Sequence, residues 1–323
     1  MANFFHSYNS WYYYMNTNLS NIKKAAYYLN NNDCVAIPTE TVYGLAANAY
    51  SGKATKKIFI LKKRPKTNPL IVHYLNLADL KKDCEIDKQF LKLYSRFCPG
   101  PITFVLKLKK GSKISKNVTN KKTTIAVRFP KHKLTRKLLK ILNFPLAAPS
   151  ANISQRISSV TKLDVVEEFG KKIKFVLDGG RSREGLESTI VNLVGKQKIL
   201  RLGSIEKNKI EKYLFKNNKK SQQKITVPGQ GKIHYSPGIP MRLNIKKPKK
   251  SEAFLLISKR KNKNKNYFYL SKNKNLREIA RNLYKTLRIV KNLGFKSISV
   301  EKIPNKGIGE TINDRLLRAA KRK

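Results

Sequence analysis

The sequence is short of acid: 19 Asp and Glu stand against 70 Lys and Arg, a formal net charge of +51 over 323 residues. It is short of cysteine too. Cys34, Cys84 and Cys98 lie far apart with no CxxC pair, which excludes a disulfide framework and fits a reducing compartment. The four histidines, His6, His73, His132 and His234, are dispersed and form no zinc-ligand pattern, so no metal site is read. No run approaches the ~20 apolar residues of a membrane span. A soluble, cytoplasmic protein without a membrane partner is therefore expected. The N-terminal stretch MANFFHSYNSWYYYMNTN lacks a basic segment before an apolar core and lacks transit-peptide arginines; residues 1–14 read as a disordered extension. GxSxG, GxxxxGK[ST] and GxGxxG are all missing.

What is present is a basic chain with 40% hydrophobic residues, enough for packed cores, and longer than one average domain. A basic excess ordinarily points to nucleic acid. Here Lys, Asn and Ile are abundant throughout, which reads as compositional bias. Weak tRNA contact through the basic surface is expected from it, and a non-catalytic RNA-binding module is the alternative reading.

Periodicity predicts alternating helices and strands. Residues 19–31, 51–63, 87–97, 134–142 and 160–170 read as helices, and 70–75, 102–109, 124–130, 175–180 and 188–193 as strands. That alternation describes an α/β domain over 15–215. Residues 216–243, rich in Pro, Gly, Asn and Lys, read as a linker, and 244–323 as a smaller α/β domain.

Short polar segments sit beside the strands, where α/β sheets usually bind ligands. PTETVYG offers Thr39, Thr41 and Tyr43; KKRPKTNPL offers Lys62, Arg64 and Asn68; TIAVRFP offers Thr124 and Arg128; APSAN offers Ser150 and Asn152; STI offers Ser188 and Thr189. In a chain this basic, Lys62 and Lys63 alone read as surface charge. Arg128 inside an apolar strand needs a partner or a cavity, because burying it unpaired is costly.

Taken in order, PTETVYGL, KKRPKTNPLIVHY, CPGPITFVL, TIAVRFP, APSANISQRIS and LDGGRSREGLESTIV resemble the YrdC/Sua5 family, the threonylcarbamoyl-AMP synthases, over roughly residues 20–205. PGQGKIHYSPGIP and GIGETINDRLLRAA resemble the linker and second domain of its longer, Sua5-type members. The resemblance implies a twisted open mixed sheet with a smaller Rossmann-like α/β C-terminal domain. It implies synthesis of threonylcarbamoyl-adenylate and pyrophosphate from L-threonine, bicarbonate and ATP. A separate transferase machinery then modifies N6 of adenosine 37 in tRNAs reading ANN codons.

Carried residue by residue, the family's KxR and SxN pairs are Lys62, Arg64, Ser150 and Asn152, the implied catalytic set. Asn68, Thr124, Ser158, Arg201, His234 and Tyr235 join them on the ATP side, and Thr41, His73, Arg128, Ala148 and Ser188 form the threonine side. Lys62 and Arg64 are expected to diverge and grip different phosphates, with Arg128 as a fork for the threonine carboxylate. Mg2+ is expected to ride on the ATP phosphates, since no carboxylate cluster could cage it. The linker that carries His234 and Tyr235 is expected to close as a lid.

Overall fold

The computed structural model describes residues 19–214, 234–261 and 264–321. The expected extension over 1–14 and most of the expected linker, 216–233, lie outside the described residues.

The first helix, α1 (19–30), turns Ile22, Ala25, Ala26 and Leu29 inward at helical spacing, all buried. Strands β1 (Val35–Ile37) and β2 (Gly44–Asn48) then form an antiparallel pair, with Ile37 opposite Gly44. Ser51 caps α2 (Gly52–Lys62), accepting a hydrogen bond from the Ala54 amide. After β3 (Ile71–His73) come α3 (Leu77–Asp83) and α4 (Lys88–Phe97), each started by an Asx cap, Asn76 and Asp87. There follow β4 (Ile102–Lys107), α5 (Lys116–Thr119), β5 (Thr124–Arg128), α6 (Lys133–Ile141) and β6 (Leu146–Ala147). A Thr161–Asp164 capping box starts α7 (Lys162–Phe169). Strands β7 (Phe175–Val176), β8 (Thr189–Asn192) and β9 (Lys198–Arg201) and helix α8 (Lys207–Glu211) close the first unit.

These strands make one nine-stranded mixed sheet in the order β7-β1-β2-β6-β3-β5-β4-β8-β9. Both faces are covered. Along β1, Val35 and Ile37 enter the core under α1 and α6, while Ala36 faces the core that holds Leu45, Val72, Phe104 and Val127. The parallel register of β3 and β5 sets His73 directly beside Arg128.

The second unit is a four-stranded parallel sheet of β10 (Met241–Arg242), β11 (Ala253–Leu256), β12 (Tyr267–Tyr269) and β13 (Ile298–Val300), ordered β10-β13-β11-β12. Helix α9 (Leu276–Asn292) crosses from β12 to β13, and α10 (Ile308–Ala320) follows. The expected architecture, a twisted open mixed sheet with a smaller Rossmann-like unit, is the one observed. The expectation omits β9, β10 and β12, and Met241–Arg242, read as the end of the linker, pair with β13. The two units share a core: Val42, Ile157, Val160 and Leu186 of the first pack with Leu283, Leu287, Ile312 and Leu316 of the second.

Candidate active site

Helix α2 stops at Lys62 because Lys63 turns left-handed, at φ 47°. That turn buries Lys62 and Arg64 and leaves Lys63 and Lys66 exposed. The Lys62 ammonium donates to the carbonyls of Ser150, at 2.6 Å, and Asn152, at 2.5 Å. The Ser154 amide returns a bond to the Lys62 carbonyl at 2.8 Å. The KxR and SxN segments are thus bonded to each other. Arg64 donates to the carbonyls of Asn68, at 3.0 Å, and Pro69, at 2.8 Å. Here the structure differs from the expectation that both cations reach out to separate phosphates. A buried cation needs acceptors, and backbone carbonyls supply them. Burial, then the Arg64 charge, holds the Lys62 ammonium well below its usual range. Burial, with Arg201 adding repulsion, lowers Arg64 to about 9. Both cations are strained in their charged form, and an incoming anion relieves that strain.

A small cavity of about 40 Å³ lies beside this motif. Thr41, His73, Arg128, Ala148 and Ser188, the whole threonine side of the expectation, line it together with Arg64, Ser150, Arg201, His234 and Tyr235 from the ATP side. Ends of several chain-distant strands and the linker residues His234 and Tyr235 converge there. Lys62 and Asn152 stand behind the lining through the bonds just described. Asn68 and Asn152 each keep a buried side-chain oxygen without a partner among the described residues. Ser158 bonds to Glu187 at 2.7 Å. Thr124 is not brought to the cavity: it opens β5, which ends on Arg128, roughly 13 Å away at strand rise.

On the threonine side, Arg128 is buried and its Nη2 donates to Glu40 at 2.8 Å. The other Glu40 oxygen accepts the Lys131 amide at 3.0 Å. Arg128 Nε is buried without a partner among the described residues. His73 also keeps Nδ1 unpartnered, and burial, reinforced by Arg128, lowers it to about 3, so the ring is neutral. Thr39 and Thr41 share a hydroxyl bond of 2.8 Å, and Ser188 bonds to Thr103 at 2.7 Å. Glu40 is the residue that sequence reasoning missed. Its signal was a carboxylate inside PTETVYG, next to two threonines already singled out.

On the far side, Arg201 Nη2 donates to the Ser188 carbonyl at 2.7 Å and hydroxyl at 3.2 Å. Tyr235 is fully buried with its hydroxyl unpartnered among the described residues, and His234 packs on it at 4.0 Å. A second carboxylate not foreseen, Glu187, sits between these groups and the second unit.

Residues 27–203 match the Sua5/YciO/YrdC family (telomere recombination), and residues 205–321 match the threonylcarbamoyl-AMP synthase C-terminal domain. The chain belongs to the Sua5/YciO/YrdC family. Among its relatives, the threonylcarbamoyl-AMP synthase of Pyrococcus abyssi is 35% identical, covering 93% of this chain and 94% of the relative. That of Bacillus subtilis is 32% identical over 95% and 94%. The crystal structure of P. abyssi Sua5 complexed with L-threonine superimposes with a TM-score of 0.83 at 34% identity, covering 93% of this chain and 94% of that one. As a two-domain member of the Sua5 type, the chain is similar to these relatives along nearly its whole length, across both units described above.

Proposed function

We propose that this chain is a nucleotidyltransferase that makes L-threonylcarbamoyl-adenylate and pyrophosphate from L-threonine, bicarbonate and ATP, in the cytoplasm, for modification of tRNAs reading ANN codons. The observation that carries the proposal is the convergence of two kinds of group on one small cavity. The buried Arg128 with an open donor, a neutral histidine and hydroxyls suit the carboxylate and side chain of a small amino acid. Arg64 and Arg201, with Lys62 behind the lining, suit a polyphosphate. Similarity to relatives named for this activity over more than nine-tenths of the chain supports it.

The chemistry asks little of acid–base groups. Bicarbonate takes up a proton and loses water to give CO2; the deprotonated threonine amine adds its lone pair to the carbon, one C=O π pair moves onto oxygen, and the nitrogen releases a proton to solvent, leaving a carbamate. A carbamate oxygen then attacks the α-phosphorus in line; the bond from that phosphorus to the bridging oxygen breaks, and pyrophosphate leaves with its electron pair. Arg128 and the neutral His73 orient threonine, and the buried cations oppose the charge that develops on the leaving group. Among the described residues the carboxylates lining the cavity or touching its arginines are engaged: Glu40 by Arg128, and Glu187 by Arg315, Tyr284 and Ser158. Mg2+ therefore belongs to the site as part of the MgATP substrate, held by the nucleotide's own phosphates. The adenylate passes to a separate threonylcarbamoyl-transferase machinery, and exposed lysines give weak contact with tRNA.

Pyrophosphate release, with mass spectrometry of the product, tests this reading. Release that needs both threonine and bicarbonate, with a product of threonylcarbamoyl-adenylate mass, is expected. Release independent of threonine rejects it.

A further inference from the structure

Glu187 lies on the cavity wall, immediately before Ser188, yet its main partner comes from the other unit. Arg315 of α10, wholly buried, donates Nε to Glu187 Oε2 at 2.9 Å and Nη2 to the Leu202 carbonyl at 2.6 Å. Its guanidinium also covers the Tyr235 ring at 4.7 Å. Tyr284 of α9 donates to Glu187 at 3.0 Å and stacks on Tyr235 at 5.8 Å with an interplanar angle of 18°. One turn earlier in α10, Thr311 bonds to the Gly203 carbonyl at 3.0 Å. Helix α10 thus rests on the start of β8 and the end of β9, the two places that supply Ser188 and Arg201.

Two buried arginines stand near this single buried carboxylate. Arg315 holds Glu187 by direct bonds, while Arg201 spends its Nη2 on Ser188. Removing one partner of a buried pair leaves the other charge uncompensated, and after Arg315 the next cation acting on Glu187 is Arg201. We infer that Arg315 is a positioning residue of the second domain: by occupying Glu187 it keeps Arg201 on Ser188 at the cavity wall, where the nucleotide is proposed to bind, and by covering Tyr235 it fixes another part of that wall. Burial works against the charged form of Glu187, but the arginine charges outweigh it and hold the carboxyl down to about 2, so Glu187 is ionised at neutral pH. Through this contact the second domain takes part in nucleotide binding.

The inference rests on the proposed function for its substrate, and its test keeps the two apart. ATP binding to the full-length chain is measured by calorimetry, beside pyrophosphate release in the presence of threonine and bicarbonate, so the binding result stands even if no pyrophosphate forms. Arg315→Met is expected to weaken ATP binding about 10-fold or more by drawing Glu187 onto Arg201. Adding Glu187→Gln removes the charge that captures Arg201, and the double variant is expected to bind at least about threefold more tightly than Arg315→Met alone. A double variant no better than the single one overturns the inference, because a packing role gives no such rescue. Arg315→Lys, which keeps the charge, guards against a variant that does not fold. Lysine keeps a charge for Glu187 but loses the fork that also holds the Leu202 carbonyl and covers Tyr235, so Arg315→Lys is expected to bind ATP more weakly than the parent chain yet at least about threefold more tightly than Arg315→Met, and a folded Arg315→Lys that loses as much as Arg315→Met also overturns the inference.

Discussion

Arg128 and Glu40 form an ion pair of 2.8 Å in which both side chains are less than a tenth exposed. In a site proposed to bind an amino-acid carboxylate, the arginine already carries one. Glu40 uses a single nitrogen of the fork and leaves Nε open. Replacing Glu40 by Gln keeps the shape and removes the counter-charge. The unliganded variant should lose about 3 kcal/mol of stability, since a buried charge is left unpaired. Threonine supplies a new carboxylate, so its stabilising effect should be larger in Glu40→Gln than in the parent chain. Thermal unfolding with and without threonine checks both parts; an equal or smaller threonine shift in the variant counts against a carboxylate site at Arg128.

Lys62 and Lys63 are neighbours with opposite roles. Lys62 carries both bonds to the SxN segment; Lys63 is an exposed helix cap in the left-handed region. Lys62→Ala orphans two buried carbonyls and should cost ~2 kcal/mol or more, together with at least about 100-fold in adenylate formation through lost charge and a displaced Ser150–Asn152 loop. Lys63→Gly relieves the strained backbone and should stabilise the chain by up to about 1 kcal/mol, with activity unchanged. Urea unfolding and product formation, run side by side on the two variants, separate them.

Two buried histidines predict a loss of stability in mild acid. His73 and His234 are each lowered to about 3, in both cases chiefly by burial. The unfolded chain takes up these protons near pH 6.5, while the folded chain refuses them until about pH 3. Above that window the two states bind alike, so the full stability is present at neutral pH. As pH falls through the window, each histidine removes about 1.4 kcal/mol per unit. Glu187, ionised down to about 2, adds its own loss only below the ordinary carboxylate range. Between pH 6 and 5, His73→Gln should lose less stability than the parent chain, by about 1 kcal/mol. Denaturant titrations at the two pH values read the difference, and an unchanged slope places His73 in a solvated setting.

Much of the candidate site was legible through the family resemblance: polar segments beside the strands pointed to Thr41, Arg128 and Ser188, while His73 and Ala148 came from the resemblance alone. Thr41, His73, Arg128, Ala148 and Ser188 converge once β2, β3, β5, β6 and β8 pair. The order in which they pair, with β6 between β2 and β3, is set by long-range packing that no local pattern carries. Strands β9, β10 and β12 escaped notice because they are two to four residues long and carry Lys, Arg or Tyr at positions open to solvent. Lys62 was singled out by the resemblance alone, since charge by itself reads it as surface, and its carbonyl partners were not legible, since they depend on the loop it meets. Arg315 was hidden by composition: among 70 Lys and Arg, one more arginine in an amphipathic helix reads as surface, and only its burial shows otherwise.

Gly203 links these observations in one residue. It follows Leu202, whose carbonyl Arg315 holds, and it closes on the start of β8. A Cβ there would lie 2.2 Å from the Thr189 amide nitrogen and 2.3 Å from the Ser188 carbonyl carbon. These are backbone atoms, so no side chain can swing away and the strand start itself must move. Gly203→Ala should therefore displace Ser188 from Arg201, lowering adenylate formation by about 100-fold and stability by roughly 1–3 kcal/mol. Gly111 provides the comparison. It has φ +81° and open space around the missing Cβ, so Gly111→Ala meets backbone strain alone. That variant should lose about 1 kcal/mol of stability and keep its activity. If Gly203→Ala also keeps full activity at matched stability, the Ser188–Arg201 edge does not position substrate.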